Sequence, residues 1–391
     1  MKNEHRKIAN ELQLFNLSDY SQGMAVWLPK GQYIYQKIES YLRNIQNKYG
    51  YNEVQSPIVA NSELWKKSGH LSNFKDNMFF VEDSDNAIKP MNCPFHIDIF
   101  KQLSLSYKDL PYRISEFGLC HRNEASGALN GLFRLRQFKQ DDGHIFCQKE
   151  DIEKELIHFV KMLKEVYLKF GFDEKNISVK IALRPENRIG DDELWDLSEK
   201  LLMQGLDKLN IKYDLLEGEG AFYGAKIEFG LKDSLNREWQ CGVFQLDFLL
   251  AKRLGASFIN KDGKEEYPVI LHRAVLGSIE RFIAILLEHY NGKLPLFLNP
   301  NAISIIPINE NCLDYVNNLK FELNKLGIFC DIDQSNNSVG YKVKSAFKKK
   351  SNFSIIIGEK EVNENIISLR DKKRNYSFSL EELKDFLLNE N

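Results

Sequence analysis

The sequence predicts an α+β domain, a mostly antiparallel sheet flanked by helices, followed by a small α/β domain. Three observations lead there. The β-rich runs "FFVED", "LFRLRQF", "KIEFGL" and "QCGVFQLDFLL" come in blocks among long amphipathic segments, without strict βαβ alternation. The composition then shifts at "GKLPLFLNPNA", where Pro295 and Pro300 bracket a linker. Beyond it, strand-like and helix-like runs alternate, as in a doubly wound unit. The expected boundaries are 1–294 for the first domain, 295–300 for the linker and 301–391 for the second.

Taken in order, "YIYQKIESYLRNIQNKYG" has apolar residues at helical spacing and ends on Gly50, a C-cap glycine. "YNEVQSPIV" is a short strand-like run interrupted by Pro57. "EDIEKELIHFVKMLKEVYLKFG" and "DDELWDLSEKLLMQGLDKL" read as amphipathic helices. In the second domain "ISIIPI" reads as a buried strand, "CLDYVNNLKFELNKLG" as a helix, and "IFCDID" and "FSIIIGEKE" as further strands. No G-x-G-x-x-G follows its first strand, which weighs against a dinucleotide site there.

Bulk composition narrows the class. The 391 residues are 43% hydrophobic and 28% charged, as in a soluble globular chain. A net charge of −2 gives no global pull toward nucleic acid, so any such binding must use a local patch. Six cysteines are scattered with no C-x-x-C pair, which fits a reducing compartment. No apolar run is long enough for a membrane span, and "MKNEHRKIANELQ" is too charged for a signal peptide. The chain is expected to be cytoplasmic.

The stretch "FRLRQFKQDDGHIF", residues 133–146, is the least like ordinary fold-building sequence. Arg134 and, upstream, Arg122 in "CHRNE" sit on strand-like segments joined by "ASGALNG". Arginine pairs bidentately with phosphate and stays charged, so a hairpin of this kind can point both at one polyphosphate. Isolated arginines also serve in surface salt bridges, and residue type alone leaves both readings open. Glu124, two residues past Arg122, falls on the same strand face, where it can receive a base amino group. There is no Walker-type loop, so arginines would have to hold any nucleotide. Cys93, His144 and His272 form a one-Cys, two-His zinc set that leaves a fourth position for substrate. They are far apart in sequence, and His96 is a rival ligand beside Cys93. Spacing alone leaves these residues open between a metal site and unliganded core or surface positions.

Together the motifs become recognisable. "YNEVQSP", "HRNEASGALNGLFRLRQF" and "VLGSIERFIAIL" resemble, in that order, the three motifs of class II aminoacyl-tRNA synthetases. "MNCPFHI", "FKQDDGHIF", "RPENRIGDDELWD", "GEGAFYGAKIEF" and "WQCGVFQLDF" resemble the threonyl-tRNA synthetase family in particular, and the likeness covers essentially the whole chain. The resemblance implies a class II synthetase catalytic domain followed by an anticodon-binding domain. It implies ATP-dependent ligation of L-threonine to the 3′ end of tRNA(Thr) through threonyl-adenylate. One zinc per subunit, held by Cys93, His144 and His272, would select the threonine hydroxyl.

The same resemblance assigns roles residue by residue. Gln140, Asp142, Tyr223 and Gln245 match positions that orient the amino acid. Lys226 and His70 match residues implicated in activation and transfer. Arg122 would take the α-phosphate of ATP, with Mg2+, and Arg134 the γ-phosphate. Glu124 would lie by the adenine amino group, Phe138 and Arg281 would sandwich the ring, and Gln240 and Ser278 would add nucleotide contacts. Asn336, Glu361 and Arg370 match anticodon-reading positions, and the lysines of "KVKSAFKKK" can track phosphates or form a solvated helix face. A homodimer with Pro57 near the two-fold is implied.

Phe95, Ala125, Asn130, Gln137 and Ala225 depart from common family residues at loop and neighbouring positions. The family's bacterial members carry N-terminal domains, including one that hydrolyses seryl-tRNA. Here the sequence begins almost at the catalytic domain, so no intrinsic editing is expected, which leaves room for a separate trans-editing factor. A non-catalytic tRNA-binding paralogue and an adenylating enzyme with a carrier-protein acceptor are the competing readings. Retention of the arginines, the zinc set, Glu361 and Arg370 weighs against both.

Overall fold

The computed structural model describes residues 4–390. The described chain divides into two compact units: residues 17–25 with 39–285, and residues 4–16 with 26–38 and 286–390. The first contains an eight-stranded sheet built from β1 (Asn52–Glu53), β2 (Tyr112–His121), β3 (Gln137–Cys147), β4 (Ile177–Ala182), β5 (Asp214–Leu216), β6 (Lys226–Lys232), β7 (Glu238–Asp247) and β8 (Val269–Ser278). Its order is β5-β4-β6-β7-β8-β3-β2-β1. Only the outermost pairs, β5 with β4 and β1 with β2, run parallel; the five inner pairings are antiparallel. The expected mostly antiparallel sheet flanked by helices is what forms.

β3 lies inside the sheet and its alternation sets two faces. Phe138, Gln140, Asp142, His144 and Phe146 share one. Helix α2 (Cys93–Leu103) packs on that face, after α1 (Pro29–Lys48) earlier in the chain. Cys93, His96, Ile97 and Phe100 recur at i, i+3, i+4 and i+7 and are all buried. Phe100 stacks on Phe146 at 4.2 Å between ring centroids, and His96 reaches His144 one pleat along. An apolar anchor thus fixes where the helix start, and with it Cys93, meets the strand. Against the opposite face lies α3 (Ile152–Lys169), where Arg113 of β2 makes two hydrogen bonds, 2.6 and 2.7 Å, to the Glu155 carboxylate.

The second unit carries a five-stranded sheet of β9 (Ile303–Pro307), β10 (Cys330–Ile332), β11 (Phe353–Ile357), β12 (Ile367–Arg370) and β13 (Asn375–Phe378), ordered β10-β9-β11-β12-β13. Its helices include α6 (Leu313–Lys325) and α7 (Val339–Lys348); α4 (Asp192–Lys208) and α5 (Ile279–His289) precede them in the chain. The first three strands are parallel, as the alternation predicts, but β12 and β13 form an antiparallel hairpin at one edge. The sheet is therefore mixed and not purely doubly wound: Asp371 binds the backbone N–H of Lys373 and Arg374 and reverses the chain there.

Two local expectations are corrected. "LFRLRQF" is not one strand: Gly131–Phe133 is a 3-10 turn, and β3 begins only at Gln137. Arg122 and Glu124 lie beyond the end of β2, so Glu124 does not share a strand face with Arg122. The ladder runs on for one more bond, from the Arg122 N–H to the Arg136 carbonyl, and ends there because the Arg136 N–H turns to the Gly23 carbonyl.

Candidate functional site

Strand register assembles the site. His144 pairs with His272, His272 with Gln245, and Gln245 with Lys226, a row crossing β3, β8, β7 and β6. Neighbouring strands are about 4.8 Å apart, so these four side chains project side by side. Ser278 pairs with Gln140 in the same sheet.

The row carries a buried relay. His144 Nε2 is 2.9 Å from His272 Nδ1, and one ring nitrogen of each histidine lies with Cys93 Sγ within 4.8 Å of one another. His272 Nε2 contacts the Asp247 carboxylate at 2.9 Å. His144 Nδ1 meets His96 Nδ1 at 2.7 Å, and His96 Nε2 contacts Glu116 at 2.9 Å. Each carboxylate accepts a proton-bearing nitrogen, which fixes the tautomers outward from both ends. His96 then accepts from His144 Nδ1–H, leaving lone pairs on His144 Nε2 and His272 Nδ1 facing each other. Two acceptors and a thiol that converge in this way fit a soft or borderline dication such as zinc. Burial, with Asp142 and Asp247 nearby, pushes the Cys93 thiol well up, so its thiolate calls for a compensating cation. His96, the rival ligand in the sequence, serves instead as the link to Glu116.

Around this cluster, Asp142 accepts from Asn92 Nδ2 at 2.9 Å and from its neighbour Gly143 N–H at 3.0 Å. Tyr223 packs its ring 5.2 Å from that of His272. Gln245 donates to the Gly224 carbonyl at 3.2 Å, and Lys226 pairs with Glu228 at 2.7 Å. His70 lies with Nε2 3.7 Å from Cys93 Sγ and Nδ1 2.8 Å from Ser68 Oγ. Burial, with the Arg122 and Arg253 charges nearby, lowers its pKa to about 4, so at neutral pH it is a proton acceptor.

Next along the sheet lies a cavity of about 570 Å³, a size suited to a small ligand. Arg122, Glu124, Arg134, Phe138, Gln240, Ser278 and Arg281, all seven residues expected at the nucleotide, line it together with Gln140. Arg122 holds its guanidinium 5.0 Å over the Phe138 ring. Arg281 keeps a buried Nε with no partner, a donor suited to a ligand. Arg134 and Glu124 pair with each other at 2.9 Å at the cavity wall, and the Arg134 side chain remains exposed with donors to spare.

Asp141 is a residue the sequence reading passed over. Its side chain points to the back of the sheet, is fully buried, and accepts three successive backbone N–H groups, Val275, Leu276 and Gly277, at 2.9–3.1 Å. Burial raises its pKa to about 7 against the opposing pull of Arg273 and those N–H groups. These bonds shape the break in register between Ala274 and Ser278, and so place Ser278 and Arg281 at the cavity. Asp141→Asn is expected to cost about 1–3 kcal/mol, because an amide N–H then faces a backbone N–H. A denaturant melt equal to that of the unaltered protein would contradict this.

In the second unit, Glu361 accepts from Ser368 Oγ at 3.0 Å, and Arg370 projects two residues further along the same face of β12. Asn336 lies on a different element, the exposed turn between β10 and α7. Lys342, first lysine of "KVKSAFKKK", is buried and donates to the Asp333 carbonyl at 3.1 Å, so it belongs to the fold and not to a phosphate track.

Residues 79–290 match the model of the tRNA synthetase class II core domain (G, H, P, S and T), and residues 302–390 match that of the anticodon binding domain. A crystal structure titled as the RNA binding domain of threonyl-tRNA synthetase from Cryptosporidium parvum Iowa II superposes with a TM-score of 0.95 at 37% identity, covering 99% of this chain and 98% of that one. The chain belongs to the threonyl-tRNA synthetase family. Within this family, the threonine--tRNA ligase of Ehrlichia canis is 49% identical over 371 residues, 94% of this chain and 58% of that protein. The chain thus spans about 58% of the length of the curated family members it matches. Prolyl-tRNA synthetase of Giardia lamblia, at 18% identity and a TM-score of 0.73, shares the fold.

Proposed function

We propose that the chain ligates L-threonine to tRNA(Thr) with ATP. The carrying observation is that the seven residues expected at the nucleotide line one cavity on the sheet that also bears the Cys93, His144 and His272 cluster. Threonine would sit between the two, its carboxylate toward Arg122. Asp142 and Gln245 would receive its amino group and fix its orientation, with Tyr223 closing the pocket. A carboxylate oxygen then bonds to the α-phosphorus as the bond to pyrophosphate breaks, and Arg122 neutralises the developing charge, Mg2+ accompanying the ATP. Phe138 and Arg281 hold the adenine between them. The terminal ribose hydroxyl of tRNA next takes the acyl group and AMP leaves; His70, neutral and buried, is the proton acceptor nearest this end of the site.

Zinc bound by Cys93, His144 and His272 would supply a Lewis-acid position for the amino and hydroxyl groups of threonine. A site built for a hydroxyl rejects valine by roughly 10⁴-fold or more, whereas the methyl that separates serine is worth only about 1–3 kcal/mol. Low-level activation of serine is therefore part of the proposal; pyrophosphate exchange with serine no greater than with valine would contradict it.

Residues 1–294 would form the catalytic domain, 295–300 the linker and 301–391 the anticodon-binding domain, with Asn336, Glu361 and Arg370 reading bases. A homodimer is supported by the exposed apolar residues that follow Pro57, Ile58 and Val59, 41% and 47% exposed. Among the described residues no helix is long and apolar enough to cross a membrane, and all six cysteines are free and buried, which supports cytoplasmic work.

The test is aminoacylation: labelled threonine should become acid-precipitable with tRNA(Thr) and not with an anticodon-altered transcript. Tight tRNA binding without charging would favour the non-catalytic paralogue.

A further inference from the structure

Phe133 and Trp239 have no part in the nucleotide contacts proposed above. Their rings stack at 3.9 Å with only 3° between planes, and both line the nucleotide cavity. Trp239 is the fixed half. It stands on β7 beside Gln240, its indole N–H donates to the Asp233 carboxylate at 3.0 Å, and the Arg237 guanidinium lies 5.2 Å over its ring. Asp233 is itself held by the backbone N–H groups of Leu235 and Arg237 at 2.8 and 3.0 Å. Phe133 is the half carried by the connecting segment. It ends the Gly131–Phe133 turn, directly before Arg134, in the segment that connects β2 to β3. Of the neighbouring bonds, Asn130 N–H to the Arg134 carbonyl and Arg134 to Glu124 stay within that segment, while Asn123 N–H and Arg136 N–H leave it for the carbonyls of Asn77 and Gly23. The stack joins the segment to β7 at the wall of the cavity.

We propose that the Phe133–Trp239 stack is a gate on the nucleotide cavity, holding the 122–137 segment against β7 so that Arg134 is presented to the polyphosphate. This rests on the nucleotide reading above. An offset or parallel aromatic pair is strong enough to bias a loop and weak enough to open thermally, which suits a contact that ATP must pass. The two residues act as positioning residues: they set where Arg134 lies and how long the nucleotide stays.

The test combines pyrophosphate exchange with intrinsic fluorescence. Adding Mg-ATP to the unaltered protein is expected to change tryptophan emission, and Trp239→Phe, which keeps a ring stack, should lose that change while exchange persists. Phe133→Leu, which keeps apolar bulk without a ring, should raise KM for ATP about 2- to 10-fold. KM for threonine should stay fixed, kcat should shift less than KM, and ATP should dissociate faster in stopped flow. Phe133→Tyr should restore the unaltered values. An unchanged KM for ATP and unchanged dissociation rate in folded Phe133→Leu would overturn the gate while leaving the nucleotide site standing. Absence of ATP binding by the unaltered protein would overturn both.

Discussion

Cys93→Ala is expected to reduce bound zinc from about one ion per chain to near zero. His144 and His272 alone offer two nitrogens, and the buried pocket then lacks the anionic ligand that offsets the dication. Structural and catalytic zinc sites in proteins keep three or four protein ligands, and affinity depends on their deprotonated forms. In this chain the thiol is held far above its ordinary range by burial and by Asp142 and Asp247, so the cation and the thiolate stabilise each other. Threonine-dependent exchange should fall with the metal. The relay makes a graded version available: Asp247→Asn, which leaves all three ligands in place, should lower metal affinity about 10- to 100-fold by loosening the His272 tautomer. Metal analysis by mass spectrometry after dialysis against a competing chelator reads both. Full zinc retention in Cys93→Ala would mean that His96 or His70 replaces it and the ligand assignment is wrong.

The second large effect concerns a charge pair that no motif announced. Lys89 Nζ lies 3.0 Å from Glu116 Oε1, both are at most 3% exposed, and Ser56 donates its N–H and hydroxyl to the same carboxylate at 3.0 and 2.8 Å. Glu116→Gln leaves the Lys89 ammonium buried without its counter-charge and is expected to cost about 3–5 kcal/mol. It also removes the outer end of the His96–His144 relay, so zinc should be lost more readily. The double change Glu116→Gln with Lys89→Met removes both charges and should recover part of the loss of stability. Losses that simply add would show that the two groups do not depend on each other. Burial pushes the Glu116 carboxyl up, but hydrogen bonds from His96 and Ser56, with the Lys89 charge, outweigh it and hold the pKa at about 2, below its ordinary 4.5. Because the folded-state value is the lower one, this contribution is fully present above pH 4.5 and is lost as pH falls toward 2. The stability of the unaltered protein should therefore drop more steeply over that window than that of Glu116→Gln.

Much of this architecture could be read from the sequence because the signals are local. Apolar spacing marks α1, α3 and α4, and the alternation in "FKQDDGHIF" puts Phe138, Gln140, Asp142 and His144 on one face of β3; α2, over Cys93–Leu103, is not among the helices read from spacing. What periodicity cannot supply is which strand lies beside which. The row His144–His272–Gln245–Lys226 depends on pairings between residues up to 128 positions apart, so the metal set could be proposed only through resemblance. Asp141 and Glu116 were missed for the same reason: their partners are backbone N–H groups and a lysine on distant segments. The early end of β2 and the late start of β3 were hidden because Arg134 and Arg136 mimic strand alternation in a segment whose hydrogen bonds go elsewhere.

The most direct measurement is ATP–pyrophosphate exchange by the zinc-loaded protein with threonine, serine and valine, repeated after the metal is stripped. Strong exchange with threonine, weaker with serine, negligible with valine, and loss of all three without zinc are expected. Equal exchange with threonine and valine, or none from folded, zinc-loaded protein, would contradict this.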